Sequence, residues 1–246
     1  MAAIETAGTP LFLPTTSEIG EAFEEEVTAL DGAVTDAFDD GVRLYLRAVL
    51  PLDAEVRPGD RVRGGVALRV GGGGGGGGGG EVLVHPYILR QVCSNGAIRS
   101  QALATSRVER VLKTDVVAPA YEAAVALQAL RDAVQRCAAH DAFAGGVAEM
   151  RGAAEMEADY VLMLLPALAH MRGETVRRLL PRVLRRFERA PDPDRSAFGV
   201  MNAVTSVARD TRDPETRWRL EGLGGALAAR VPRGPQVRPA ASAALA

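Results

Sequence analysis

Two stretches in the first half of the chain, "VRLYLRAVL" (residues 42–50) and "DRVRGGVALRV" (residues 60–70), alternate so regularly that they leave little choice of fold. Successive side chains of a strand point to opposite faces. Val42, Leu44, Leu46, Ala48 and Leu50 therefore share one face, and Arg43, Tyr45 and Arg47 share the other. In the second stretch Val62, Val66, Leu68 and Val70 lie opposite Arg61, Arg63 and Arg69. Strands with one apolar and one arginine-bearing face predict an antiparallel sheet covered on one side only. Asp40-Gly41 is a hairpin signal ahead of the first strand. Beyond Asn95-Gly96, expected to form a tight turn, Ile98, Ala102 and Ala104 alternate with Arg99, Gln101 and Arg107.

Ten glycines at 71–80 interrupt this pattern. They lack the fixed offsets, the lysine and the following helix of a phosphate-binding loop, so they read as a flexible hairpin loop. Residues 15–18 fit a capping box, and Ile19, Phe23, Val27 and Leu30 follow at helical spacing. After Pro119 the periodicity is helical over 119–140 and 147–170. A further helix over 173–190 is expected to be split by Pro181, and two more close the chain, the last with Asp213 as its cap and Pro214 in its first position. Strands first and helices after define an α+β class. One domain is expected over 1–231, sheet-rich over 42–107 and helical over 119–231, with a disordered tail over 232–246.

The net charge of −2 hides a polarised chain. Residues 1–60 carry 13 acidic and 3 basic side chains, and residues 171–246 carry 8 acidic and 15 basic. Of 29 basic residues only Lys113 is not arginine. Such asymmetry indicates either nucleic-acid contact or an acid–base contact within the protein, and guanidinium groups suit phosphate. No apolar run approaches the roughly 18–20 residues of a membrane helix, the N-terminus resembles no leader peptide, and two cysteines make no disulfide framework. A cytoplasmic protein with reduced thiols is expected.

Few residues suggest chemistry. Cys93 stands in "VCSNG", but spacing ties none of His85, His140 or His170 to it, so Cys93, Asn95 and Gly96 read as a structural turn. Cys137 and His140 could share a helical face, but a zinc site needs two more ligands. No metal or cofactor is expected. The arginine face is more suggestive. Arg43, Tyr45 and Arg47 alternate guanidinium and aromatic, beside Arg61, Arg63 and Arg99. This is the chemistry of single-strand platforms, where arginines take phosphates and an aromatic stacks a base. Asn202, Arg209 and Arg212, at the corner between the last two helices, form a second candidate contact.

The run "GDRVRGGVALRV…VHPYILRQVCSNGAI" resembles the central motif of the phage/plasmid-like family known as domain of unknown function 932. Gly59-Asp60 matches its strand entry, the loop at 71–80 its hairpin, and residues 89–96 its apolar-arginine and cysteine-x-asparagine-glycine run. "NAVTSVARD" is similar to its later asparagine-alanine segment. Ten glycines replace the family's serine-rich hairpin segment, a departure that leaves any function of that loop without support here. The resemblance implies a mobile-element context and no particular reaction. The expected function is therefore non-enzymatic association with single-stranded nucleic acid, binding or annealing it, as a homo-oligomer. A protein–protein assembly module without nucleic-acid binding is the alternative.

Overall fold

The computed structural model describes residues 14–71, 82–91, 95–99, 106–107, 119–159, 163–164, 173–188 and 194–229. The expectations for Cys93, for the glycines at 72–80 and for a tail from Pro232 lie outside these residues.

Thr15 caps helix α1, Thr16–Ala29, as its sequence predicts. The Thr15 hydroxyl accepts from the Glu18 amide, and the Glu18 carboxylate accepts from the Thr15 amide at 2.8 Å. Ile19, Ala22, Phe23 and Val27 form its buried stripe. Strands β1, Ala33–Asp39, and β2, Leu44–Arg57, follow. In their turn Gly41 takes a φ of 79° and the Asp40 carboxylate accepts from the amides of Val42 and Arg43. Strands β3, Asp60–Val70, β4, Val82–Arg90, and β5, Asn95–Ile98, complete an antiparallel sheet in the order β1-β2-β3-β4-β5, and β6, Ser106–Arg107, also pairs with β4. The register pairs Leu46 with Leu68 and Leu68 with Val84, so the apolar positions of three strands align on one face.

Helices α2, Pro119–Ala138, α3, His140–Glu155, α4, Gly173–Glu188, α5, Ala197–Arg209, and α6, Pro214–Ala229, supply the helical half. The class is α+β, with an antiparallel sheet between α1 and helices α2 to α6. Two helix boundaries differ from the periodicity. A break at Ala139, whose ψ of 138° is extended, separates α2 from α3, and the extended backbone of Met156 ends α3 at Glu155. The break at Ala139 lets Cys137 join one apolar cluster and Phe143 another. Pro181 does not split α4. The carbonyl that loses its partner, four residues earlier, belongs to exposed Arg177, where solvent can replace the missing donor.

α1 and α2 cover the apolar face through Leu44, Leu46, Ala48, Val66, Leu68 and Val84, and α3 continues the cover around Val62, Ile88 and Phe143. The opposite face was expected to stay open, and over β2 to β5 it does not. Trp218 of α6 lies in a cluster with Tyr45, Ala67, Tyr87 and Ile98, because α6 lies on that face and supplies carboxylates for its arginines. A fourth cluster joins α4, α5 and α6 through Leu179, Val183, Val204, Val207 and Leu220.

The approach of α6 depends on Gly225, where a Cβ would lie 2.1 Å from the carbonyl oxygen of Ile98; at Gly222, three residues earlier, it would meet nothing within 4 Å. Alanine at both positions raises helix propensity equally, so packing alone separates them. Gly222→Ala should stabilise the protein by up to about 1 kcal/mol, and Gly225→Ala should destabilise it by about 1–3 kcal/mol. Urea unfolding midpoints moving in opposite directions would bear this out, and two equal shifts would refute the close contact.

Candidate nucleic-acid interface

The arginine face of the sheet is the place to begin, and most of it is internal. Arg47 is 2 % exposed and Glu221 1 %. Arg47 Nε donates to Glu221 Oε2 at 2.8 Å, Nη2 lies 2.7 Å from the same oxygen, and Nη1 donates to Asp36 Oδ2 at 2.8 Å. Arg217, one turn before Glu221 on α6, closes a ring. Its Nε donates to Glu221 Oε1 at 3.1 Å, and its Nη1 is 2.9 Å from Asp36 Oδ2. Two guanidiniums and two carboxylates thus neutralise one another between β1, β2 and α6. Burial pushes the Glu221 carboxyl up, against the downward pull of Arg47 and Arg217.

A second cluster centres on Glu215, in the first turn of α6. It accepts from the Tyr45 hydroxyl at 2.6 Å, from Arg69 Nε at 3.0 Å and from Arg219 Nε at 2.8 Å. Burial works to raise the Glu215 carboxyl, but the Tyr45 hydroxyl and the two guanidiniums together hold it below its ordinary value. Burial, with the bond to Glu215, raises the Tyr45 phenol. Between the clusters Trp218 sits edge-on to Tyr45 and to His85, with ring centroids 6.1 and 5.6 Å away.

The expected single-strand platform is therefore occupied by the protein's own helix. Tyr45, buried at 1 % exposure, stacks on no base, and Arg47 reaches no phosphate. Arg99 is also buried, on the opposite face, where it pairs with Glu149 of α3 at 2.8 Å and donates to the Ala142 carbonyl. The physical reason is common to all three: a polar or charged group is costly to bury without a partner, and each has a carboxylate within reach. Arg43 is half-exposed, paired with Asp40 at 2.7 Å over the Phe38 ring. Arg63 lies 3.9 Å from Asp53, and Arg61 is exposed.

Of the second expected contact, Arg209 and Arg212 are exposed at the α5–α6 corner, with Arg209 3.3 Å from Asp210 and Asn202 half-buried. The neighbouring Thr205 is buried and donates to the Met201 carbonyl. Asn95 and Gly96, expected to form a turn, instead open β5, paired with Arg90 and Leu89. Gly96 is required for another reason. A Cβ there would lie 1.8 Å from the hydroxyl of Tyr87, whose phenol burial pushes far up. Cys137 is buried against the Val84 carbonyl, its thiol pushed up to about 12, whereas His140 is exposed beyond the break at Ala139, so the two share no ligand face. Among the described residues no group of three or more His, Cys, Asp or Glu could hold a metal ion, and no helix is long and apolar enough to cross a membrane.

The basic surface that faces water lies elsewhere. On α4, Leu179, Val183 and Phe187 pack inward, while Arg177, Arg178, Arg185 and Arg186 are exposed and Arg182 half-exposed. Between Glu174 and Glu188 the helix has no acidic residue. Arg186 reaches Asp210, but no ion pair holds Arg177, Arg182 or Arg185 among the described residues. Sequence reading passed over this row. Its signal was present in the doubled arginines 177–178 and 185–186, eight residues apart, flanking Arg182.

Two outcomes follow for the buried clusters. Glu221→Gln should cost about 3–5 kcal/mol, because it leaves Arg47 and Arg217 sharing the single charge of Asp36, whereas Arg47→Met with Glu221→Leu should recover most of it by removing both charges of the buried pair. Denaturant unfolding of the single and double variants measures the difference. Glu215, held low in the folded state, adds stability that is present above its unfolded value near 4.5 and is lost as pH falls through its lower folded value. Glu215→Gln should therefore narrow the stability gap between pH 6 and pH 3, and an unchanged gap would contradict the role of Glu215.

Comparison with protein-family models, with curated proteins and with solved structures finds no match for this chain.

Proposed function

We propose that this protein associates with nucleic acid through the phosphate backbone, without catalysis, using the arginine row of α4 with Arg209 and Arg212 at its margin. One observation carries the reading. The buried arginines Arg47, Arg69 and Arg99 are consumed by carboxylates of the same chain, while the row on α4 points to water, with Arg186 paired to Asp210, Asp213 near Arg178, and no ion pair on Arg177, Arg182 or Arg185 among the described residues. Arg178 and Arg185 stand about 10 Å apart along the helix axis, with Arg182 between them. Guanidiniums so placed can engage successive phosphates at once, each releasing condensed counterions.

The chemistry available is that of backbone contact. The described Phe, Tyr and Trp rings are buried or half-buried, Phe38 lying under Arg43, so none of them offers an exposed stacking surface. Contacts to phosphate position a nucleic acid without reading its sequence. Binding is accordingly sequence-independent and similar for single strands and duplex. The resemblance to the phage/plasmid-like family belongs with this proposal as a genomic context, and it adds no reaction.

The test is fluorescence anisotropy of labelled oligonucleotides at several salt concentrations. Wild-type affinity should fall steeply with salt, and R178A/R182A/R185A should reduce the slope by about 2–3. A slope unchanged in the triple variant would remove α4 from the interface, and absence of binding at low salt would overturn the reading.

A further inference from the structure

The acidic half of the polarised charge is only partly used inside the fold. Asp36, Asp40, Asp53 and Asp60 face arginines of the same chain. The outer face of α1 does not follow that pattern. Glu18, Glu21, Glu24 and Glu25 are exposed, and the helix contains no basic residue. Glu18 is engaged with Thr15 at the cap, Glu21 with Ser17, and Glu25 with the partly exposed Arg131 at 3.2 Å. These contacts leave a carboxylate surface facing solvent from Glu18 to Glu25.

From this surface and the α4 row we infer an interface between copies of this chain, in which the acidic face of α1 from one copy docks on the arginine row of α4 from the next. The two faces match in sign and in spacing. Glu18 and Glu25 are seven residues apart, with Glu21 between; Arg178 and Arg185 are seven apart, with Arg182 between. Both spans are two helical turns, about 10 Å. The two faces belong to different parts of one molecule, α1 packing in the cluster with α2 and the sheet, α4 in the cluster with α5 and α6, with no residue shared. The contact is therefore heterologous, and repeated head to tail it produces a ring or a filament. Charge-on-charge contact between exposed helices is weak per pair and screened by salt, so the assembly is reversible. Nucleic acid and a second copy then compete for α4. That competition rests on the proposed nucleic-acid reading, whereas the interface itself does not.

Sedimentation velocity on the full chain at about 30 and 500 mM salt tests it. The expected result is association at the lower salt and monomer at the higher. E21R/E24R/E25R, which spares the capping Glu18, and R178E/R182E/R185E should each be monomeric at both, with unchanged circular dichroism. An equimolar mixture of the two variants should associate again, because each reversed face then meets its opposite. Wild-type monomer at low salt, or variants that assemble as the wild type does, would overturn the interface. So would a mixture that stays monomeric. An oligonucleotide titration run beside it reads the other proposal separately. Protein that assembles but binds no nucleic acid retains this interface and loses that function, and protein that binds nucleic acid without assembling does the reverse.

Discussion

The structure turns on the burial of Arg47. A guanidinium at the centre of a sheet is tolerated only when its charge is matched and its donors are satisfied. Glu221 and Asp36 match the charge from two sides and accept from Nε and Nη1, and Arg217 balances their second charge. Because Glu221 stands on α6, the requirement fixes where that helix lies. Once α6 rests on β5 at Gly225, Trp218 falls between Tyr45 and His85, and Glu215 reaches Tyr45 and Arg69. A ring of buried ion pairs adds little net stability over an apolar core of equal volume. What it contributes here is position: one register of α6 satisfies both clusters.

The same requirement sorts the arginines. The buried ones, Arg47, Arg69 and Arg99, have carboxylates beside them and serve the fold. Those of α4 lie on a helix whose other face already packs on α5, and they are left to water. A basic surface of this kind has its largest effect on association, where unscreened charge lowers the free energy of a polyanion or an acidic helix nearby. α1 is the acidic counterpart within the chain, at the far end of its own packing cluster. Function, in this view, resides in charges the core did not use.

Much of the fold was legible because it is local. The alternation in residues 42–50 and 60–70 dictates strands, Asp40-Gly41 dictates the turn into the first of them, and Thr15 with Glu18 dictates the start of α1. The site was less legible. Arg43, Tyr45 and Arg47 do share a face, as alternation requires, but sharing a face is not exposure. The partners that bury two of them, Glu215 and Glu221, are about 170 residues away. No period in the sequence expresses a contact of that range. The helix break at Ala139 and the continuity through Pro181 escaped for the same reason, since packing and solvent access outweighed local propensity.

The sequence by itself determined the α+β class, the strand faces and the polarity of charge from one end of the chain to the other, because each follows from neighbours in the chain and the period of the backbone. Only the tertiary structure decided which arginines are available. Availability depends on whether a carboxylate from a distant element can be brought within about 3 Å without stranding another charge, and that is a property of the packed arrangement.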